Sequence, residues 1–135
     1  MIIKTSIDKQ KAKALVKMAE ITLERLKTTD KEKYPSNTLT DYYDAIHKLM
    51  EAIALLDGIK AKGEGAHQEL IDYVAKKEKL DEQSRQLAQQ MREYRNQISY
   101  EGFNINKNYL EGNEKKIQEL ILKLKKITSQ KNISQ

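Results

Sequence analysis

Arg92, Arg95, Asn96 and Ser99 follow one another at helical spacing, with Tyr100 next in the chain. At about 100° per residue, the first four fall within an arc of roughly 100° on a helix, with Tyr100 at its edge. Two guanidiniums and an amide on one face suit an oxyanion, because Arg presents a planar fork of donors that matches phosphate or carboxylate. Leu87, Met91, Tyr94 and Ile98 take roughly the opposite side, so the polar face points away from the chain's own core, toward solvent, a cleft or another subunit. A solvated helix end carries the same pattern, since Arg and Asn on exposed faces are ordinary. Arg95 and Tyr100 lie five residues apart, which separates them by about 140° on a regular helix and keeps them from converging. A second subunit solves this: across a two-fold axis, Arg95 of one copy would face Tyr100 or Asn96 of the other.

The remaining inventory is thin. There is no Cys, and His47 and His67 are the two histidines. Thiol nucleophiles, disulfides and Cys-ligated zinc are thereby excluded, and the histidines are too few for a His-rich metal site. No cofactor or metal is expected. His67, on the apolar side near a helix start, reads as a partly buried, hydrogen-bonded core histidine, whereas His47 reads as exposed on the solvent side of its helix. Asp81 and Glu82 are adjacent, so their carboxylates diverge and serve caps and solubility. Gly58, Gly63 and Gly65 follow no strand and match no phosphate-binding G-x-x-x-x-G-K pattern; they read as turn glycines.

These groups need elements to position them. One Pro, five Gly and 33% charged residues, with Leu, Ile, Ala, Lys, Glu and Gln abundant, describe a helix-rich chain. Leu15, Met18, Ala19, Thr22, Leu23 and Leu26 give an amphipathic helix over 6–28, and residues 29–35 break it. Ser36, Asn37 and Thr38 are N-cap candidates for a second helix over 38–57, whose stripe runs from Leu39 through Tyr42, Tyr43, Ile46, Leu49, Met50 and Ile53 to Leu56. A third helix covers 66–77 and a fourth 80–100. Asn108 with Glu111 resembles a capping box opening a fifth, over 108–127, on Leu110, Ile117, Leu120, Ile121, Leu124 and Ile127. Residues 129–135 read as a frayed tail. With no strand signal, the whole chain, 1–135, is expected to be one all-α, up-and-down bundle of about five helices.

The net charge of +5 is uneven: +4 over residues 1–27, −4 over 28–114 and +5 over 115–135. Basic ends of this kind attract nucleic-acid phosphates through counterion release, and lysine-rich solvated faces look the same. No run of about 18 apolar residues exists, and residues 1–9 lack the apolar centre of a signal peptide, so a soluble cytoplasmic protein without membrane contact is expected.

Arg95-Asn96-Gln97-Ile98-Ser99-Tyr100 resembles the mark of the HEPN domain family, the helical partners of minimal nucleotidyltransferases. That mark is an Arg, usually followed by Asn, with a His about five residues on, near the end of the fourth helix. The stretch from Asp41-Tyr42-Tyr43-Asp44-Ala45-Ile46-His47 to Leu55-Leu56-Asp57-Gly58 is similar to the second helix of archaeal-type members, and Tyr100-Glu101-Gly102 to the exit into the last helix. The likeness covers roughly residues 8–127. It implies a homodimer whose motif faces form a composite cleft from Arg92, Arg95, Asn96, Ser99 and Tyr100, with Arg95, Asn96 and Tyr100 as its candidate catalytic residues. It implies a minimal nucleotidyltransferase as partner, in a pair of toxin–antitoxin type, and RNA or a nucleotide as ligand. Fully equipped members cleave RNA without metal, Arg stabilising the phosphate and His moving protons. Here Tyr100 stands in the His position, and a phenol of ordinary pKa about 10 is a poor base near neutral pH. A metal-independent endoribonuclease and a non-catalytic helical adaptor are the alternative expectations.

Overall fold

The computed structural model describes residues 1–131. Its elements are β1 (Ile2–Lys4), α1 (Lys9–Leu26), α2 (Pro35–Leu56), β2 (Ile59–Ala61), α3 (Ala66–Lys77), α4 (Glu82–Glu101) and α5 (Lys107–Gln130). The architecture is an all-α helical bundle, as the sequence periodicity predicts. α2 is its axis: twelve of its twenty-two residues are buried, among them Tyr43, Ile46, Leu49, Met50 and Ile53. α1, α3, α4 and α5 pack around it, contributing Ala19 and Leu26, Leu70 and Val74, Ala88 and Met91, and Ile117, Leu120 and Leu124 to one continuous core. All six apolar positions expected of α5 are buried.

Several ends differ from the sequence reading, each for a local reason. α1 starts at Lys9 because the Asp8 carboxylate caps it, accepting from Lys11 N at 2.9 Å. α2 starts at Pro35, where a fixed φ and a missing N–H suit the first helical turn. Ser36, Asn37 and Thr38 therefore lie inside the helix and cap nothing. Asp81 caps α4, accepting from Ser84 N at 2.7 Å. Asn106, not Asn108, caps α5, and the expected capping box does not form. α5 runs on to Gln130 through Thr128, which is buried, so the predicted tail is helical over its first two residues; its final four, 132–135, lie outside the described residues. Met18, expected inside, is half exposed at 48% because the buried line of α1 is Ala12, Ala19 and Leu26.

The chain also forms an antiparallel strand pair that the periodicity did not foretell, Ile2 facing Ala61, Ile3 facing Lys60 and Lys4 facing Ile59. Three residues are too few to show an alternation, and their partner lies some sixty positions away. Gly58, at φ +70°, makes the turn out of α2, and its carbonyl accepts from Thr5 N at 2.8 Å. The pair ties the start of the chain beside the Gly63–Gly65 loop that feeds α3.

Candidate functional site

The last turns of α4 and the first turn of α3 enclose a depression of about 270 Å³. Arg92, Arg95, Asn96 and Tyr100 border it from α4, and His67 and Gln68 from α3, with the exposed Gly63 and Gly65 of the preceding loop also lining it. Ser99, grouped with these by helical spacing, is exposed and outside the lining. Arg95 and Tyr100 thus border one space within a single chain. α3 supplies the opposite wall, so residues at the two edges of the α4 face border the same hollow.

Arg95 is three-quarters buried. Its Nη1 donates to the Asn96 side-chain oxygen at 3.3 Å, its guanidinium carbon lies 5.9 Å from the Tyr43 ring centre, and its Nε is 3.9 Å from Asp44 Oδ1, a charge contact too long for a hydrogen bond. Nε is buried without a hydrogen-bond partner among the described residues. Arg92 donates from Nε to Gln89 at 2.8 Å and lies 3.6 Å from the Glu93 carboxylate. Neither Arg is neutralised by a close, bidentate carboxylate, so the hollow keeps a positive field suited to an oxyanion.

Behind this wall stands a stacked pair of imidazoles. The His47 and His67 ring centres are 3.8 Å apart at 18°. The Tyr43 hydroxyl and His67 Nδ1 are hydrogen-bonded at 2.9 Å, and His47 Nδ1 is 2.9 Å from Glu51 Oε1. His67 is the partly buried, hydrogen-bonded histidine that the sequence predicts. His47 is not exposed: its side chain is only 17% accessible, because α3 begins against that side of α2. Burial, then the charges of His47 and Arg95, push the His67 imidazole down to about 4, so it is neutral near pH 7. Burial likewise raises the Tyr43 phenol, against the opposing charges of Arg92 and Arg95. For Glu51, burial works upward, but the hydrogen bond from His47 and that ring's charge outweigh it and hold the carboxyl below its usual range.

Tyr43, His47 and Glu51 are spaced four apart on α2, a signal that marks one face of a helix. That spacing places Tyr43, His47 and Glu51 together; the approach of His67 requires the tertiary fold. Among the described residues no group of three or more His, Asp or Glu side chains could hold a metal ion, and no helix is long and apolar enough to cross a membrane. A larger groove, about 580 Å³, lies between α1 and the end of α5, with Lys13, Lys17 and Lys125 along it and no histidine or arginine. Lysines from both basic ends of the sequence thus meet in this groove, whose lining shares no residue with the arginine hollow. Compared with known protein families, characterised proteins and solved structures, the chain finds no match.

Proposed function

We propose that the protein is a HEPN-type, cytoplasmic, dimeric partner of a minimal nucleotidyltransferase, forming the toxin-like or nucleotide-binding half of a toxin–antitoxin-type pair. The observation that carries this reading is the convergence of Arg92, Arg95 and Asn96 on one hollow. Two guanidiniums beside an amide, neither held by a close bidentate carboxylate, suit a phosphate oxygen entering the hollow. The exposed rings of Tyr100 (79%) and Phe103 (40%) flank the end of α4 and supply apolar area for an isologous contact beside the hollow. Co-expression with the product of the adjacent gene, followed by affinity capture, tests the pairing. A stable complex that Arg95→Ala weakens supports it; two proteins that never associate sink it.

The second reading, a metal-independent endoribonuclease using Arg95, Asn96 and Tyr100, has one supporting observation, that all three border one hollow. RNA cleavage in the presence of a chelator, lost on Arg95→Ala, would select it over the binding partner. A helical adaptor, in which the motif only joins subunits, would bind neither nucleotide nor RNA through Arg95.

A further inference from the structure

Arg95 and His67 belong to different helices, yet the structure ties them through one ring. The Arg95 guanidinium lies 5.9 Å from the centre of Tyr43, and the Tyr43 hydroxyl is bonded to His67 Nδ1 at 2.9 Å. With Nδ1 engaged, the ring's orientation is fixed, and Nε2 is left as the imidazole atom able to meet a ligand. The same hollow borders on both side chains. Gly65, the N-cap residue of α3, has no side chain to cap the first turn, so the polar character of this wall comes from His67, Gln68 and main-chain amides.

We infer that this hollow is a phosphoryl-binding site complete within one chain, in which Arg92, Arg95 and Asn96 hold the oxyanion from α4 and His67 contacts it from α3. The inference rests on the nucleotide- or RNA-binding reading above and adds to it a residue and a boundary: His67 is a ligand-contacting group, and the second subunit supplies none of the four. A neutral imidazole serves here without adding charge; it gives one hydrogen bond to a phosphoryl oxygen or to a hydroxyl next to it. Tyr43 is its positioning residue, and the ring of His47 packs against its other face.

The test is calorimetric titration of the full chain with uridine 5′-monophosphate and, separately, with a ten-residue oligoribonucleotide lacking terminal phosphates, using wild type, Arg95→Ala, His67→Gln and Tyr43→Phe. Wild type is expected to bind at least one probe. Preference for the mononucleotide marks a terminal phosphate as the ligand; binding of the oligonucleotide marks an internal phosphodiester; either supports the site. Arg95→Ala and His67→Gln should each weaken binding by roughly ten- to a hundredfold, the loss of a hydrogen bond to a charged group. Tyr43→Phe should weaken it less while leaving the circular dichroism spectrum unchanged. An equimolar mixture of Arg95→Ala and His67→Gln chains distinguishes the two boundaries: a site within one chain stays broken in the mixture, whereas a site shared across a dimer recovers a fraction with wild-type affinity. That recovery would overturn the single-chain assignment. Loss with Arg95→Ala but wild-type affinity with His67→Gln would overturn the role of His67 and leave the broader reading standing; no binding of either probe by wild type would overturn both.

Discussion

His47 and His67 stack face to face, 3.8 Å between ring centres, one held by Glu51 and the other by Tyr43. Two imidazoles so close cannot both carry a proton without strong repulsion. The sign of the resulting pH dependence follows from His67, whose folded value, about 4, lies below its ordinary 6.5. Between those values the unfolded chain binds a proton that the folded chain refuses, so stability falls as pH drops from about 6.5 to about 4 and is fully present above 6.5. Partial exposure reduces the effect to roughly 1–2 kcal/mol. Urea unfolding at pH 7 and pH 4.5 should show His67→Gln losing less stability than wild type across that interval. An equal loss in both chains would mean that other groups carry the acid sensitivity.

Gly58 and Gly102 offer a comparison of two left-handed turns. Both have positive φ, +70° and +67°, so any L side chain is strained in either place, at roughly 1 kcal/mol for Ala. They differ in surroundings. A Cβ at Gly58 would sit 3.1 Å from the Thr5 carbonyl oxygen, while one at Gly102 would meet nothing within 4 Å. Gly58→Ala should therefore destabilise more than Gly102→Ala, because it also displaces the strand pair at Thr5. Thermal unfolding by circular dichroism ranks the two, and the opposite order would mean that the strand pair yields freely.

The helices were legible because each repeats its apolar residues often enough to define a face: the α5 stripe is buried as expected, and α2 buries its predicted stripe from Leu39 to Ile53, with Leu56 at its end partly exposed. Features that escaped are those in which few residues meet distant ones. β1 and β2 have three residues each, and Pro35 rather than a polar side chain opens α2. In the site, the α4 face was legible from Arg92, Arg95 and Asn96, since they share one helix. From sequence His67 reads only as a core histidine, because its place beside Arg95 depends on how α3 docks across α2, which no spacing within α3 encodes. Helical geometry alone separated Arg95 from Tyr100, and the wall supplied by α3 brings both to one hollow.

The groove beside Lys13, Lys17 and Lys125 should bind nucleic acid only as a diffuse positive surface, for no aromatic ring lines it to stack a base. Replacing these three lysines with Gln should lower the affinity for long single-stranded RNA at low salt and leave mononucleotide binding unchanged. In wild type this contribution should vanish by about 0.3 M salt, as phosphate-only contacts do. Persistence above that ionic strength would indicate directed contacts in the groove.

Light scattering at micromolar concentration is expected to give twice the 15.7 kDa chain mass. The exposed Tyr100 and Phe103 at the end of α4 are the apolar groups to which the contact is assigned. A double change to Ser at these positions should shift the protein toward monomer without altering helix content. A wild-type monomer, unchanged by the partner protein, would remove the dimer from the proposal.

On the proposed HEPN reading, the wild-type chain is expected to cleave RNA little or not at all, because Tyr100 would stand where that family has its proton-transferring His. A phenol is a poor general base beside an imidazole, and the His67 imidazole, pushed down to about 4, is too weak a base to substitute efficiently. Tyr100→His is the informative change. Tyr100 borders the same hollow as Arg95 and is 79% exposed, so an imidazole there would remain solvated with a pKa near 6.5. General acid–base catalysis contributes about 10²–10⁴-fold, enough to raise chelator-resistant cleavage above background on a gel with labelled single-stranded RNA. Adding Arg95→Ala to Tyr100→His should abolish it, since the phosphate is then no longer held. Robust cleavage by the unmodified chain would contradict this and assign the proton transfer to Tyr100 or His67, which Tyr100→Phe and His67→Gln would tell apart.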